Sequence, residues 1–185
     1  MNDLNQLILN FDYDQNFKDQ DFYVSKSNEF AFKLLNNWPK WEKNFVNLIG
    51  ENFSGKTHLV NIFLHKFKGI KIEADEINNE FIKKIKLFEN IIIENFNDKI
   101  DENLLFTLIN IVDQDNKYLI LTSKIGIVDH LFKLDDLNSR SKNFILSNIE
   151  KPEDDLMFAL ILKNLSDRQI SIDKKLIDFI IKRID

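Results

Sequence analysis

Short runs of apolar residues alternate along the chain with longer stretches in which apolar residues recur every three or four positions. The short runs predict strands, because runs that are apolar at nearly every position are typical of strands buried on both faces of a parallel sheet. The periodic stretches predict amphipathic helices that cover those faces. The predicted strands occupy residues 45–49, 70–72, 90–93, 118–122 and 144–146. This alternation indicates an α/β fold with a parallel sheet between two layers of helices.

Helical periodicity is clearest on either side of the first predicted strand and over residues 104–112, and it is weaker over residues 77–85. The first helix is predicted over residues 27–38, with Ser27 as its cap and Pro39 as the residue that ends it.

After Glu150 the pattern contains helices alone. Pro152 is expected at the first position of one helix, where its missing N–H group costs little. A second helix is predicted to begin near Ser171 or Asp173. The apolar residues expected to be buried on it are Leu176, Ile177, Ile180, Ile181 and Ile184. We therefore expect an N-terminal segment over residues 1–20, a main domain over 21–150 and a small helical lid over 151–185.

Composition and charge narrow the function classes. The 185 residues include 25 Lys and Arg against 30 Asp and Glu, which gives a net charge of −5, and 44% of positions are hydrophobic. This balance excludes a disordered chain and argues against direct DNA binding by charge alone. The absence of cysteine excludes disulfides and thiolate sites and favours a cytoplasmic location. No apolar run approaches the roughly 18 residues of a membrane span, and the start lacks a secretion signal.

The strongest chemical signal is the segment GENFSGKT over residues 50–57, which matches the P-loop pattern G-x-x-x-x-G-K-[ST]. It lies between a predicted strand and a predicted helix, as the pattern requires. Its glycines let backbone N–H groups surround a phosphate, its lysine bridges the β and γ oxygens, and its threonine hydroxyl binds Mg²⁺. The expected ligands are ATP or ADP with Mg²⁺. The expected contact residues are Gly50, Asn52, Phe53, Ser54, Gly55, Lys56, Thr57 and the adjoining helix residue His58.

A P-loop site also requires a second strand that ends in an acid, and residues 91–95 (IIIEN) match that requirement. Glu94 is the candidate that holds Mg²⁺ together with Thr57. Asn95 occupies the next position, where many ATP hydrolases place an acid, and its amide cannot take a proton, so intrinsic hydrolysis should be slow. Ser123 follows a predicted strand and is a candidate sensor of the γ-phosphate. A polar residue that merely ends a strand is the alternative for Glu94 and Ser123.

These motifs resemble the DnaA branch of the AAA+ ATPases and, within it, the Hda-type replication regulators. The resemblance covers nearly the whole chain and includes residues 22–31 (FYVSKSNEFA), the P-loop, the strand ending in Glu94 and Asn95, and residues 134–140 (LDDLNSR). It implies an AAA+ domain with a helical lid, in which Tyr23 and Val24 border the adenine. It also implies that Arg140 is an arginine finger that reaches the ATP site of a neighbouring protomer. A routine surface arginine is the alternative.

The N-terminal segment contains QLILNF over residues 6–11, which resembles the peptide by which Hda-type proteins engage the DNA sliding clamp. In that mode Gln6 donates at a pocket rim, and Leu9 and Phe11 fill apolar pockets beside Leu7. An edge strand or helix start that packs on the sheet is the alternative.

We therefore expect a nucleotide-dependent regulator that stimulates ATP hydrolysis on the initiator DnaA while tethered to the sliding clamp. It would contact neither a specific DNA sequence nor a membrane. The lid would end before the family's third helix, which carries the sensor-2 arginine, so nucleotide affinity and turnover are expected to be weakened. The rival is a P-loop enzyme with its own turnover, either of the helicase-loader kind or a small-molecule kinase. A third possibility is a structural module that binds nucleotide and in which Arg140 has no catalytic role. Whether the chain forms homo-oligomers is left open.

Overall fold

The computed structural model describes residues 22–171, 173–181 and 183. Within them, five parallel strands form one sheet in the order β2-β3-β4-β1-β5. The strands are β1 (Phe45–Ile49), β2 (Gly69–Glu73), β3 (Asn90–Phe96), β4 (Tyr118–Ser123) and β5 (Ile145–Asn148). The predicted α/β class with a parallel sheet is confirmed. Because β1 lies between β4 and β5, the loop that follows β1 emerges in the interior of the sheet rather than at its edge.

Seven α-helices surround and extend this sheet in the described part of the chain. They are α1 (Glu29–Asn36), α2 (Lys56–Lys66), α3 (Asn79–Lys84), α4 (Glu102–Gln114), α5 (Asp135–Ser141), α6 (Asp154–Asp167) and α7 (Lys174–Ile181). Among the described residues, three short 3₁₀ turns lie in the connections, at Ala74–Glu76, Ile85–Leu87 and Ile127–Asp129.

The sheet has a core on each face. On one face, α1 and α2 pack against side chains such as Leu48, Ile92 and Ile120, all at most 1% exposed. On the other face, α3, α4 and α5 pack against the alternate strand residues, including Ile91 and Ile93. Burying one such side chain contributes roughly 1.5–3 kcal/mol, so the two cores hold the helices firmly on the sheet. The carboxyl ends of the strands are thereby fixed relative to α2.

Helices α6 and α7 lie in the stretch for which a lid was predicted, and they contact each other. Ile177 and Ile181 are buried, as the periodicity predicted. Leu176 and Ile180 are instead 49% and 38% exposed, because the buried stripe of α7 is narrower than expected. Ile184, which was also expected to be buried, lies outside the described residues. No helix in the described part of the chain has the length and apolar character needed to cross a membrane.

Several boundaries differ from those predicted. Helix α1 begins at Glu29 after Asn28, so Ser27 is not its cap, and Ser27 Oγ shares a hydrogen bond with Ser25 Oγ instead. Helix α6 begins at Asp154, so Pro152 precedes the helix rather than opening it. Strand β3 continues to Phe96, three residues past its apolar run.

Candidate nucleotide-binding site

The P-loop connects β1 to α2 and is fixed at its first residue. The Gly50 N–H donates to the carbonyl of Ser123 on β4 over 3.1 Å. A Cβ atom at Gly50 would lie 2.7 Å from Ser54 Oγ and 2.8 Å from the backbone oxygen of Ile149. No side chain fits there, because a contact with a backbone oxygen at that distance cannot be relieved by a rotamer change. The glycine therefore lets the loop pass closely between β4 and the segment after β5.

The loop ends at the N-terminus of α2, which is open to an anion. Gly55 adopts a φ of 97°, and no side chain caps the helix that begins at Lys56. The first N–H groups of a helix have no intrahelical partner and carry the positive end of its dipole. Thr57 lies in this first turn and is exposed. Such a terminus, after a glycine-bearing loop, binds phosphate groups.

The Lys56 side chain folds back into the loop. Its ammonium donates to the carbonyl oxygens of Gly50 and Glu51 over 2.6 and 2.7 Å, and to Ser54 Oγ over 3.3 Å. Burial lowers the pKa of this ammonium. The nearby Glu51 carboxylate acts against this by raising the pKa, and the nearby Lys124 ammonium lowers it further. The loop thus holds a desolvated cation among neutral oxygens, and phosphate oxygens would be stronger partners for it. Asn52 and Phe53 at the loop tip are exposed, and Phe53 has a φ of 64°.

An aromatic residue places the predicted adenine segment beside the P-loop. The Phe22 ring stacks on Phe32 with centroids 5.6 Å apart and meets the edge of His58 at 5.4 Å. A Cβ atom at Gly55 would lie 3.7 Å from the Phe22 ring. Phe22 is a contact residue that the sequence motifs do not single out, although it directly precedes Tyr23 and Val24.

Asn28 holds the backbone of this segment in a turn. Its amide nitrogen donates to the Tyr23 carbonyl over 3.0 Å, and its side-chain oxygen accepts from the Ser25 N–H over 2.9 Å. The Ser27 carbonyl accepts from the N–H of Glu150, just before the lid. Residues 22–28 are therefore joined by contacts both to the P-loop region and to Glu150.

Glu94 lies on β3, on the sheet face that α2 covers, and is 2% exposed. Its Oε2 atom lies 2.7 Å from Lys71 Nζ, while its Oε1 atom is buried and has no hydrogen-bond partner among the described residues. An unpaired buried carboxylate oxygen is costly and suits a cation. Within the described residues, no cluster of three or more His, Asp or Glu could hold a metal by itself. A Mg²⁺ ion here would therefore take most of its ligands from phosphate and water, as is usual at nucleotide sites.

Asn95 adopts a left-handed conformation, with a φ of 55°, where the ladder between β3 and β4 shifts its register. Its N–H donates to Thr122 Oγ1 over 3.0 Å, and its side-chain amide donates to Glu73 Oε2 over 2.8 Å. Asparagine tolerates this conformation better than most residues. The amide group at this position is a donor already bound to a carboxylate, so it offers no base for activating water.

Ser123 is buried at the end of β4, and its hydroxyl is bound on both sides. It donates to the Ile125 carbonyl over 2.6 Å and accepts from the Asn47 amide over 2.9 Å. Asn47 also accepts from the Ile127 N–H over 2.7 Å, and it is fully buried in the middle of β1. A hydroxyl has one proton to donate, so contact with a γ-phosphate would require Ser123 to leave Ile125.

Arg140 lies on α5, away from the P-loop. Its guanidinium is 3.6 Å from Asp113 Oδ2 and 5.4 Å from the centroid of the Phe106 ring, and both partners belong to α4. Helices α4 and α5 cover the sheet face opposite α2. The structure therefore brings residues 22–28 beside the P-loop and places Glu94 on the sheet face that α2 covers, whereas Arg140 lies on the opposite face. The predicted clamp-binding residues Gln6, Leu7, Leu9 and Phe11 lie outside the described residues.

Comparison with known proteins points to one group of replication proteins. No family model matches the chain. The chromosomal replication initiator protein DnaA of Borrelia turicatae is 25% identical over an alignment that covers 89% of this chain and 40% of that protein. The DnaA of Borrelia hermsii is 27% identical over the same shares. The chain thus spans about two fifths of the length of these curated relatives.

Solved structures agree with this at the level of the fold. Domain III of DnaA from Thermotoga maritima superposes with a TM-score of 0.76 at 17% identity, covering 93% of this chain and 82% of that one. AMPPCP-bound DnaA from Aquifex aeolicus gives 0.75 at 20% identity, with 93% and 62% covered. A DnaI structure gives 0.55 at 14% identity, with 76% and 87% covered. The chain is therefore similar in fold to domain III of DnaA and similar in sequence to part of DnaA.

Proposed function

We propose that this chain binds adenine nucleotide with Mg²⁺ and acts as a regulator of chromosomal replication initiation. The observation that carries the nucleotide proposal is the open N-terminus of α2 with the Lys56 ammonium folded into its loop. Similarity to DnaA, one structure of which contains AMPPCP, supports the same ligand class and a role in initiation.

Different residues of the site would contact different parts of the nucleotide. The backbone N–H groups at the start of α2 would bind the β-phosphate, and Lys56 would exchange its carbonyl partners for β- and γ-phosphate oxygens. Thr57 and Glu94 would hold Mg²⁺, which neutralises charge on the phosphates when it is bound. Tyr23 and Val24, exposed beside Phe22, would border the base.

The placement of Arg140 supports action on a partner rather than on the chain's own nucleotide. Arg140 packs on α4, on the face opposite the P-loop helix, so reaching its own phosphates would require a large rearrangement. Its salt bridge to Asp113 is long and partly exposed, and such pairs contribute little, so the side chain can be released at small cost. Asn95 supplies no base, which fits slow turnover by the chain itself.

In this proposal the partner is the initiator DnaA, and Arg140 stabilises charge on the γ-phosphate that DnaA hydrolyses. Residues 6–11 would attach the chain to the sliding clamp. Both partners are inferred from the resemblance of sequence motifs to Hda-type regulators.

The test is an ATPase assay on purified DnaA, with and without DNA-loaded clamp, in the presence of this chain. Wild type should accelerate hydrolysis, and Arg140→Ala should remove most of the acceleration, since fingers supplied in trans contribute 10³- to 10⁵-fold in GTPases. Arg183→Ala is the matched control, because its guanidinium also packs on an aromatic ring, at 3.8 Å from the Phe179 centroid.

Two results would overturn the regulator proposal. One is equal stimulation by wild type and Arg140→Ala at unchanged melting temperature. The other is ordinary ATP turnover by the chain alone with no effect on DnaA, which would favour the rival P-loop ATPase with its own turnover.

A further inference from the structure

The carboxylate of Glu94 already has a cation beside it. Lys71 on β2 extends over the face that α2 covers, and its ammonium lies 2.7 Å from Glu94 Oε2 and 3.0 Å from Asn61 Oδ1 on α2. Three elements, β2, β3 and α2, therefore contribute to holding one ammonium group. The Lys71 side chain is 34% exposed, so its stem reaches inward from the sheet edge while Glu94 is almost completely buried.

The Lys71 ammonium neutralises the negative charge of Glu94, which would otherwise attract Mg²⁺. A buried carboxylate is costly unless it is paired, and Lys71 supplies one positive charge at hydrogen-bond distance. The second oxygen of Glu94, Oε1, is buried and has no hydrogen-bond partner within the part of the chain that the structure describes. The pair thus leaves one carboxylate oxygen available, but with the negative charge already balanced.

We propose that Lys71 is a resident counter-cation of Glu94 and that Mg²⁺ must displace the Lys71 ammonium in order to bind Glu94. Lys71 therefore raises the Mg²⁺ concentration that is needed to fill the metal site. The inference rests on the proposed nucleotide site, and it concerns the metal requirement of that site. A divalent ion and an ammonium at one carboxylate repel each other, and this repulsion is strongest where water is excluded. Nucleotide would therefore bind the wild-type chain with little dependence on Mg²⁺.

A purely structural ion pair predicts a different outcome. In that case, removing the Lys71 charge would lower the free energy of unfolding and leave the affinity for divalent ions unchanged. Lys71→Gln separates the two readings, because glutamine keeps a donor for Glu94 and removes the charge. Lys84→Gln is the matched control, since Lys84 pairs with Glu80 at 3.3 Å on the exposed surface of α3.

The first measurement uses Mn²⁺ as the probe and nucleotide-free protein. Electron paramagnetic resonance reports free Mn²⁺, and Lys71→Gln should bind the ion about tenfold more tightly than wild type, while Lys84→Gln should match wild type. The gain should disappear when Glu94→Gln is added to Lys71→Gln. Equal Mn²⁺ affinity for wild type and Lys71→Gln would overturn the inference.

The second measurement separates this inference from the proposed function. Calorimetric titration with ADP, in EDTA and in Mg²⁺, should show little effect of Mg²⁺ on wild type and about a tenfold gain in affinity for Lys71→Gln. If wild type binds ADP and Lys71→Gln shows the same Mg²⁺ dependence, the counter-cation role is wrong and nucleotide binding stands. If wild type binds no ADP in either buffer, the proposed function is wrong, and the Mn²⁺ titration still decides the role of Lys71.

A measurement on wild type covers the case in which Lys71→Gln does not fold. Acetylation of lysines, followed by mass spectrometry, should show faster modification of Lys71 when Mg²⁺ is added well above the concentration used in the calorimetric titration, because Mg²⁺ then displaces Lys71 and frees its amine. Lys84 should be modified at the same rate with and without Mg²⁺. An unchanged rate at Lys71 would contradict displacement.

Discussion

Replacement of Asn47 by alanine should destabilise the protein more than any ordinary surface substitution, because this side chain joins β1 to the loop after β4. Its oxygen accepts from the Ile127 N–H over 2.7 Å, and its nitrogen donates to Ser123 Oγ and to the Leu121 carbonyl over 2.9 and 3.3 Å. Asn47, Ser123 and Ile127 are each at most 2% exposed, so water cannot replace the lost partners without a rearrangement.

The magnitude follows from what Asn47→Ala leaves behind. The Ile127 N–H becomes a buried donor without an acceptor, which costs about 1–3 kcal/mol. Ser123 loses an incoming bond but keeps its own bond to Ile125, so its loss is smaller. With the small cavity added, we expect the free energy of unfolding to fall by about 3 kcal/mol.

Asn90→Ala is the matched control for this prediction. Asn90 is also a buried asparagine, on β3, but within the described residues its side chain makes one bond, from its amide to the Lys68 carbonyl over 3.0 Å, and its oxygen has no partner. Its removal should cost about 1 kcal/mol. In urea titrations followed by circular dichroism, a difference of about 2 kcal/mol corresponds to about 1 M between the two midpoints. Equal midpoints, or a lower midpoint for Asn90→Ala, would refute the reasoning.

Four further predictions concern the site and its partners. Gly50→Ala should lower the melting temperature, because its Cβ would lie 2.8 Å from a backbone oxygen; an unchanged melting temperature would contradict the described loop. Asn95 should keep the chain's own ATP turnover far below the common median of about 10 s⁻¹, which a steady-state phosphate-release assay checks. Burial lowers the pKa of Lys56 in the folded state. Between this lowered pKa and the ordinary pKa of lysine, the unfolded state binds more protons than the folded state, so the free energy of unfolding should rise with pH over that range. Lys56→Met should lose this slope in pH-dependent melting experiments, and a retained slope would assign it to another group. Replacement of Leu9 and Phe11 by alanine should weaken clamp binding at least tenfold in surface plasmon resonance, and equal affinity would remove the clamp role.

The sheet and the P-loop could be predicted because both depend on local pattern. A run such as residues 91–93 is apolar at every position and can only be satisfied by burial on both sides, and the P-loop pattern fixes a turn between a strand and a helix. The polar Asn47 inside the apolar run of β1 is a signal in the sequence that points to a buried polar contact. A buried amide in the middle of a strand requires partners from a neighbouring element, and Ser123 and Ile127 provide them.

Features that depend on contacts between distant residues could not be predicted. Lys71 is a polar residue between two isoleucines, a pattern that gives no indication that its ammonium reaches Glu94 on the adjacent strand. The left-handed Asn95 arises from the register shift between β3 and β4, which no local pattern records. Likewise, the docking of Arg140 on α4 results from the packing of two helices, and the sequence indicates only that an arginine follows a serine.

The central claim, that the P-loop binds adenine nucleotide, is tested most directly by calorimetric titration of ADP into wild type, Lys56→Ala and the surface control Lys84→Ala. Lys56 donates to three loop oxygens that phosphate would replace, whereas Lys84 pairs only with Glu80 on an exposed helix. We expect wild type and Lys84→Ala to bind ADP with the same affinity and Lys56→Ala to show no measurable binding. Equal affinity for wild type and Lys56→Ala, or no binding by wild type, would contradict the claim.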